Sequence, residues 1–486
     1  MDISSPGPIQ LPGLDSAFLG LEADRQSGHV ASLVILDTTD MDVPFDLAHY
    51  RALVAERLPR MGHFRKRLKH VPFGLDRPYW VDDVHFDLDY HVRELGLPRP
   101  GTMEVLLDSV ARVHERPLDM SRPLWEAYII SGLPDGRVAI YTKVHHAVID
   151  GATGVELLTA MVDLEPGIMP GEPTPFEPRR EPSAARLLGR AALDLTSRPA
   201  DMVRLGRSAL AYLPALAFQA APKITRALDP GDELDSAATP LRAPATPFND
   251  KISAQRKIAL TRLPLDDLRT IKNAAGVSIN DVVIALTAAA VRDWLERQGC
   301  AVNEPLVSMV PVALAADRSS GAGNSVTAMF TPLPIHLDDP LDRLQSAHAT
   351  SSAAKSHGVA IPKELYEGGI QLTPPMLLRR GMRAVFDLGL MRRFRSFNLV
   401  LSNIPGPDIT VYLGGARLET VYPLSIIVDG VGLNITLQGF GKHLGVGIVA
   451  CRRAMPDVQS LADRMLEEVE VLLSAVGESA GGAGRG

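Results

Sequence analysis

A strand that runs straight into a pair of histidines constrains this chain more than any other feature. Residues 137–144 have the composition of a buried strand, and residues 145–151 follow as His-His-Ala-Val-Ile-Asp-Gly. An amphipathic helix is predicted over roughly 153–164. Two imidazoles and a carboxylate are therefore expected at a strand-to-helix corner, where a side chain can be held rigidly and still be reached.

The alternation of side chains along a strand separates the two imidazoles. Adjacent strand residues point to opposite faces, so His145 and His146 are not expected to enter the same pocket. Asp150 follows across the turn, where it can hold the corner through an ion pair or hydrogen bonds. Gly151 permits a backbone conformation that a residue with a Cβ atom would resist.

The motif His-His-x-x-x-Asp-Gly resembles that of an acyltransferase superfamily. This superfamily contains chloramphenicol acetyltransferase, peptide-synthetase condensation domains and the bacterial wax ester synthase/diacylglycerol acyltransferases. Four further segments resemble motifs of the last family and occur in its order: Leu14-Asp15-Ser-Ala-Phe18, Pro123-Leu124-Trp125, Asn280-Asp281 and Ser402-Asn403-Ile-Pro-Gly-Pro407. The resemblance runs from about residue 11 to about residue 475 and is weakest between about 165 and 245.

The resemblance implies an α/β fold with mixed sheets. Two chloramphenicol-acetyltransferase-like subdomains would meet in a V, with a tunnel at their junction and the catalytic histidine at the middle of the tunnel. The length of 486 residues also favours two subdomains. We predict an N-terminal subdomain at 1–164, a proline-rich and helical crossover linker at 165–249, a C-terminal subdomain at 250–476 and a disordered tail at 477–486.

Periodicity and capping signals predict the regular elements outside the histidine corner. Strands are expected at 30–37, 256–260, 306–313, 324–336, 397–403, 432–438 and 443–450. Helices are expected at 45–58, 104–116, 278–297 and 458–473. For the third of these helices, Ser278 and Asp281 have the spacing of a capping box.

The resemblance also suggests a role for each motif residue. His146 would be the general base, with His145 supporting it and with Asp150 and Gly151 holding the turn. The remaining motif residues would shape the substrate tunnel or support the structure: Pro123, Leu124, Trp125, Asn280, Asp281, Ser402 and Asn403. Core packing alone would account for Trp125, and helix capping alone would account for Asp281.

The implied reaction transfers a long-chain acyl group from acyl-CoA to diacylglycerol or to a long-chain alcohol. A neutral histidine can accept the proton of a substrate hydroxyl. No serine or cysteine is placed as an obvious nucleophile, so no covalent acyl-enzyme is expected. Acyl-CoA would be a co-substrate, and no bound cofactor is expected.

Three other interpretations compete with this one. A condensation-type acyltransferase would use a carrier-bound donor, but the flanking motifs disfavour it and the chain has no carrier segment. A non-catalytic lipid-droplet protein would not need the intact His146, Asp150 and Gly151. A zinc site could use the same ligand types, but strand parity separates the imidazoles and the HExxH spacing is absent, so no metal is expected.

Composition limits the partners and the compartment. The net charge of −7 argues against non-specific nucleic-acid binding. Cys300 and Cys451 fit no disulfide or metal pattern, which is typical of a reducing cytoplasm. The sequence contains no recognisable signal peptide and no apolar run of about 18 residues. A cytoplasmic protein is expected, with peripheral contact at the inner membrane face or at lipid droplets.

Two segments could provide contact with lipid. The apolar stretch 210–221 could either dock on lipid or pack against the protein. A basic cluster could be a solvated surface or a site for CoA phosphates or anionic headgroups. Its members are Arg57, Arg60, Arg65, Lys66, Arg67 and Lys69.

Overall fold

A computed structural model describes residues 9–149, 159–194, 196, 243–313, 326–357, 373 and 375–482. Within these ranges the chain forms two six-stranded mixed sheets, one three-stranded sheet and the helices packed on them. The predicted α/β class with mixed sheets is confirmed.

The strands and helices are numbered in chain order. The strands are β1 (Ile9–Gln10), β2 (His29–Asp37), β3 (Lys66–Lys69), β4 (Tyr79–Asp82), β5 (Val92–Gly96), β6 (Trp125–Ser131), β7 (Arg137–His145), β8 (Arg256–Pro264), β9 (Leu306–Ala313), β10 (Val326–Leu333), β11 (Leu399–Ile404), β12 (Tyr412–Leu413), β13 (Ala416–Leu424), β14 (Leu433–Phe440) and β15 (His443–Cys451). The helices are α1 (Gly13–Phe18), α2 (Leu47–Arg57), α3 (Leu88–His91), α4 (Met103–His114), α5 (Leu265–Ala275), α6 (Ile279–Arg297), α7 (Pro340–His357), α8 (Pro375–Asp387), α9 (Leu390–Arg393) and α10 (Gln459–Gly482).

The first six-stranded sheet places the histidine-bearing strand β7 in its interior. Its order is β12-β13-β2-β7-β6-β5, and β7 is antiparallel to both of its neighbours. Ile140 and Val144 of β7 pack in one apolar core, while Ala139 and Tyr141 pack in another on the opposite face. Both faces of β7 are therefore covered, which explains why the run 138–141 and Val144 are apolar.

The second six-stranded sheet has the order β10-β9-β11-β14-β15-β8. Helices α6 and α10 cover it, and Trp294 of α6 is buried in their shared core with its Nε1 donating to Asp457 Oδ1 at 3.0 Å. The capping box predicted from Ser278 and Asp281 begins α6. The third sheet, β1-β4-β3, is small.

The C-terminal half of the chain contributes a strand to the first sheet. Strand β13 lies within the range predicted as the C-terminal subdomain, yet it pairs antiparallel with β2 of the first sheet. Its backbone also lies against β15 of the second sheet: a Cβ atom on Gly445 would be 2.1 Å from Val421 O, and one on Gly447 would be 1.9 Å from Pro423 O. Glycine at these positions permits this close approach of strands from the two sheets.

Helix α4 also joins the halves. Its Leu106 and Val110 share one buried cluster with Tyr141 of the first sheet and with Ile258 and Leu260 of β8. The N-terminal and C-terminal halves of the chain are therefore packed through a common apolar layer, and the contiguous ranges 1–164 and 250–476 do not separate the two sheets.

Most predicted elements are present within a few residues of their expected ends, but the tail differs. Helix α10 continues to Gly482, into the range 477–486 that the sequence predicts as a disordered tail. The reason is that Val476 is buried in the core, and a helix propagates readily beyond an anchored turn. Residues 159–161 are helical, whereas 150–158 and the segment 210–221 lie outside the described residues.

The predicted linker is described only in part. Residues 171–180 have no regular secondary structure, as their prolines suggest, and residues 184–194 are helical. Among the described helices, none is individually long and apolar enough to cross a membrane; only the pair α5 and α6, bent by 104°, passes that test of length and composition.

Candidate active site

Three backbone hydrogen bonds fix the corner at the end of β7. The amide of His145 donates to Leu124 O at 2.9 Å, and the amide of His146 donates to Gly28 O at 2.8 Å. The amide of Val148 then donates back to His145 O at 2.9 Å, which closes the turn. The histidine pair is thus tied to both flanking chain segments before any side chain is considered.

The His145 side chain is buried and its two ring nitrogens are both engaged. Its Nδ1 accepts from the Ala147 amide at 3.0 Å, and its Nε2 lies 3.2 Å from Glu22 Oε1. Because Nδ1 is an acceptor, Nε2 carries the proton and donates to Glu22. His145 is therefore held in one tautomer by contacts on both ring nitrogens, and its role in supporting His146 stays a prediction.

Glu22 connects this ring to the neighbouring backbone. Its Oε1 also accepts from the Gly28 amide at 2.6 Å, and Gly28 O is the acceptor for His146. A Cβ atom on Gly28 would lie 2.7 Å from His145 Nε2, so only glycine fits here without displacing the ring. The sequence reasoning missed Glu22 and Gly28, since no motif marks them.

The His146 side chain has a different environment. It is partly exposed and its ring stacks on Phe18, with the ring centroids 3.9 Å apart and the planes 13° apart. Phe18 ends helix α1 and belongs to the motif at 14–18, for which the sequence suggested no specific role. The two histidines therefore occupy separate environments, as strand parity predicts.

Asp150 and Gly151 lie outside the described residues. Their expected roles in holding the turn stay predictions.

The Pro123-Leu124-Trp125 motif supports the corner from β6. Leu124 supplies the carbonyl that binds the His145 amide. Trp125 is buried, donates from Nε1 to Phe64 O at 2.8 Å and stacks on His91 at 4.6 Å. Its side chain is thus explained by core packing.

A buried polar network lies under the corner on the His145 face of β7. Lys143 has no exposed side-chain area; its Nζ donates to Arg116 O at 2.9 Å and lies 3.6 Å from Glu126 Oε2. Tyr141 bonds through its hydroxyl to His114 Nδ1 at 2.8 Å. These contacts tie the end of α4 to β7 only a few residues before the histidine pair.

Burial keeps the histidines of this network neutral. Desolvation, followed by the charges of Arg256 and Lys143, lowers the pKa of His114 to about 3. Desolvation also holds the pKa of His29 well below its usual value, and His29 Nε2 bonds to His114 O at 2.8 Å. Burial likewise lowers the pKa of Lys143, although Glu126 opposes that shift.

Two of the predicted motifs meet in the second half of the molecule. The side-chain amide nitrogen Nδ2 of Asn403, near the end of β11, donates to Asn280 Oδ1 at 2.7 Å. Asn280 is an exposed residue in the first turn of α6, and Ser402 is partly buried in β11. Helix α6 and strand β11 are thereby linked through the two motifs, which sequence spacing could not show.

Asp281 is the buried partner of Ser278 in the capping box, and it also joins two helices. Its Oδ2 accepts from the Ser278 amide at 2.9 Å and from His348 Nδ1 at 2.8 Å, and its Oδ1 accepts from the Ser351 hydroxyl. Burial raises the pKa of Asp281, but these hydrogen bonds more than offset it and the pKa is lowered overall. The geometry gives Asp281 a structural role.

The basic cluster at 57–69 is largely paired with carboxylates. Arg57 is buried and binds Asp163 at 2.7 Å, while Arg67 and Lys69 both bind Glu181. These contacts favour the interpretation of a salt-bridged surface over that of an anion site. Among the described residues, no group of three or more histidine, cysteine, aspartate or glutamate side chains could hold a metal ion.

Two family models match this chain. The wax ester synthase/diacylglycerol acyltransferase catalytic domain matches residues 11–283, and the C-terminal domain of the same family matches residues 322–472. A Mycobacterium tuberculosis relative, named for an inferred diacylglycerol O-acyltransferase activity, is 34% identical over 466 residues, covering 96% of this chain and 90% of its own. A Mycobacterium bovis relative named in the same way is 34% identical over 473 residues, covering 95% and 98%.

Solved structures give the same result. The wax ester synthase/diacylglycerol acyltransferase of Marinobacter aquaeolei VT8 superposes with a TM-score of 0.68 at 28% identity, covering 96% of this chain and all of that one. The first condensation domain of the calcium-dependent antibiotic synthetase has a TM-score of 0.53 at 17% identity and covers 97% of each chain. The second likeness concerns the fold alone.

Proposed function

This chain belongs to the wax ester synthase/diacylglycerol acyltransferase family, and from that premise we propose that it transfers a long-chain acyl group from acyl-CoA to diacylglycerol, with His146 as the general base. It is an acyltransferase by family and by structural likeness. The names of the mycobacterial relatives favour diacylglycerol as the acceptor. The family name also makes a long-chain alcohol a second acceptor to test.

The contrast between the two histidines is the observation that supports this assignment. Both nitrogens of His145 are occupied by Ala147 and Glu22, so that ring has no free lone pair for a substrate proton. His146 is partly exposed and its ring plane is set by Phe18. A base must be oriented and reachable at once, and of the two rings His146 meets both conditions.

The proposed reaction needs only proton transfer and positioning. His146 Nε2 accepts the proton of the acceptor hydroxyl while the oxygen attacks the thioester carbonyl carbon. The tetrahedral intermediate collapses, the carbon–sulfur bond breaks, and the imidazolium returns its proton to the departing CoA sulfur. The products are the ester and free CoA thiol, and the imidazole is neutral again.

Positioning is the main contribution of the protein to this reaction. Transfer from a thioester to an alcohol is favourable by itself, and a well-oriented pair of reactants reacts far faster than the same pair in solution. The backbone bonds of the corner and the Phe18 stack would hold the imidazole in a fixed place for both substrates. No bound cofactor enters this scheme.

The test is the turnover of His146→Ala with labelled palmitoyl-CoA and either a diacylglycerol or hexadecanol. Loss of a general base is expected to lower turnover by about 10²- to 10⁴-fold, with unchanged thermal unfolding. The matched control is His85→Ala, which removes an exposed imidazole and is expected to leave turnover unchanged. Turnover near the parental level in a folded His146→Ala variant would refute the assignment.

The same assay identifies the acceptor, because the labelled product is either triacylglycerol or wax ester. Formation of labelled triacylglycerol by the parental protein supports the proposal, and formation of wax ester extends it to long-chain alcohols. A parental protein that acylates neither lipid, but accepts an acyl group bound to a carrier protein, would indicate condensation-type chemistry instead.

A further inference from the structure

An exposed surface that is both cationic and apolar lies on α8, α9 and the loop at Phe73. We call it the α8–α9 surface. Residues 375–395 contain six arginines and one aspartate, in a chain whose net charge is −7. The local charge is therefore opposite to that of the whole protein.

Large apolar side chains stand among these arginines. Leu377 is 54% exposed, Leu388 is 71% exposed and Phe394 is 52% exposed. Phe73 is 82% exposed, although burial of an aromatic ring is one of the strongest apolar contributions to folding. Four large apolar side chains exposed on one surface are unusual for a face in contact only with water.

The Phe73 loop is adjacent to α8. A Cβ atom on Gly74 would be 3.8 Å from Met376 Cβ, and Arg379 is close enough to His70 to add to the lowering of its pKa, which is due first to burial. Phe73 itself has a φ of 61°, a conformation that L-residues rarely adopt. The exposed ring is thus held at the edge of the α8 helix by a strained backbone.

The arginines of this surface are available to an external anion. Arg379, Arg380, Arg383 and Arg393 are exposed, and within the described part of the chain none of them pairs with a carboxylate. This distinguishes them from the basic cluster at 57–69, whose charges are largely met by acidic side chains of the same protein.

We propose that the α8–α9 surface docks this protein on membranes that contain anionic phospholipids. Guanidinium groups would bind the headgroup phosphates, while the leucine and phenylalanine side chains would enter the interfacial layer. A free phosphate or CoA phosphate would be attracted by the arginines but would leave the exposed apolar side chains in water. The combination of both chemistries on one face points to a lipid interface.

The position of the surface adds a consequence for substrate access. Helix α8 packs on the segment that follows α1: a Cβ atom on Gly20 would be 3.4 Å from Met382 Cβ. Phe18, two residues earlier, stacks on His146. A membrane bound at α8 would therefore lie on the same side of His146 as Phe18. The membrane could then supply a lipid acceptor close to the imidazole.

Vesicle flotation of the full-length protein tests the docking. Neutral phosphatidylcholine vesicles are compared with vesicles that contain about 30% phosphatidylglycerol, each at about 0.1 M and 1 M salt. The parental protein is expected to float with the anionic vesicles at low salt and to be released at high salt. No acyl donor is present, so the result does not depend on the proposed catalytic function.

Charge and apolar variants locate the surface. The double variant Arg379→Gln with Arg383→Gln is expected to weaken binding by about 30-fold, whereas Arg112→Gln with Arg297→Gln, which removes the same charge from exposed helical positions elsewhere, is expected to bind normally. Leu388→Ser is expected to weaken binding severalfold, whereas Leu466→Ser on α10 is not. All four variants change exposed side chains, and equal thermal unfolding verifies their folding.

Four results would overturn the proposal. The first is equal binding to neutral and anionic vesicles, and the second is equal binding by the Arg379/Arg383 variant and its control. The third is loss of binding to a protein partner in the surface variants while vesicle binding stays unchanged. Competition by inorganic phosphate at millimolar concentration, with no effect of Leu388→Ser, would likewise assign the surface to a soluble anion.

Discussion

The corner after β7 and the corner after β11 have similar settings and different chemistry. Each strand is an interior member of a six-stranded sheet; β7 ends in a turn, and β11 ends in an irregular loop. The β7 corner carries one buried imidazole and one partly exposed imidazole. The β11 corner carries Asn403, whose amide is bound to Asn280.

This difference separates the corner that we propose to be catalytic from one that organises the structure. Imidazole exchanges a proton near neutral pH, whereas an asparagine amide does not. The hydrogen bonds of the second corner link β11 to α6, and Asp281 then links α6 to α7. Variants in the first corner should therefore change catalysis, whereas variants in the second should change stability.

Asp281→Ala is expected to give the largest effect on stability. It removes the carboxylate half of the capping box and the bonds from His348 and Ser351, and it leaves their donors unpaired, so the free energy of unfolding should fall by about 2–4 kcal/mol. Urea unfolding measures this change. Asp293→Ala is the control on the same helix, because that carboxylate is partly exposed and forms a surface ion pair with Arg297, and its loss should cost less than about 0.5 kcal/mol.

His145→Ala should separate support from chemistry in the first corner. The loss of the Ala147 and Glu22 contacts would let His146 shift, and a misplacement of about 1 Å can lower turnover about 10²-fold. We expect the fall in kcat with little change in KM. Glu22→Ala should reproduce part of the fall, and Glu22→Gln, whose amide oxygen can still accept from His145, should retain most activity. A His145→Ala enzyme with parental kcat would show that the backbone hydrogen bonds of the corner position His146 without the His145 side chain.

Acid should act on the first half through its buried neutral histidines. The pKa of His114 is about 3 in the folded chain and near 6.5 in the unfolded chain. Between these pH values the unfolded state binds a proton at His114 and the folded state does not. Stability is therefore lost as pH falls from about 6.5 towards 3, by up to about 1.4 kcal/mol per pH unit for each such histidine. Urea unfolding at stepwise lower pH measures the slope. His114→Gln should reduce it, and an unchanged slope would show that folding does not lower the pKa of His114.

Asn403→Ala should have the smallest effect. Its bond to Asn280 is neutral and partly solvated, so the expected loss is about 0.5–1 kcal/mol with no change in kcat. A double-mutant cycle with Asn280→Ala isolates the pair. A large fall in kcat without loss of stability would contradict the contrast drawn between the two corners and would give the second corner a part in the reaction.

Local patterns of the sequence determined much of this molecule. The composition of 137–144 predicted the strand, the alternation of side chains along it predicted separate environments for His145 and His146, and the spacing of Ser278 and Asp281 predicted the capping box. These features depend on residues only a few positions apart in the sequence, so they can be predicted without knowing the fold. The motifs in their order were enough for the family and for the fold class.

Only the tertiary structure decided which distant residues meet. The pairing of β13 with β2, the Glu22 and Phe18 contacts of the two histidines, and the bond between Asn403 and Asn280 all join segments far apart in the chain. Such contacts depend on how the two sheets share strands and cores, and periodicity carries no information about partners. For the same reason the sequence left the basic cluster at 57–69 open between a solvated surface and an anion site, and only the fold showed its pairing with Asp163 and Glu181.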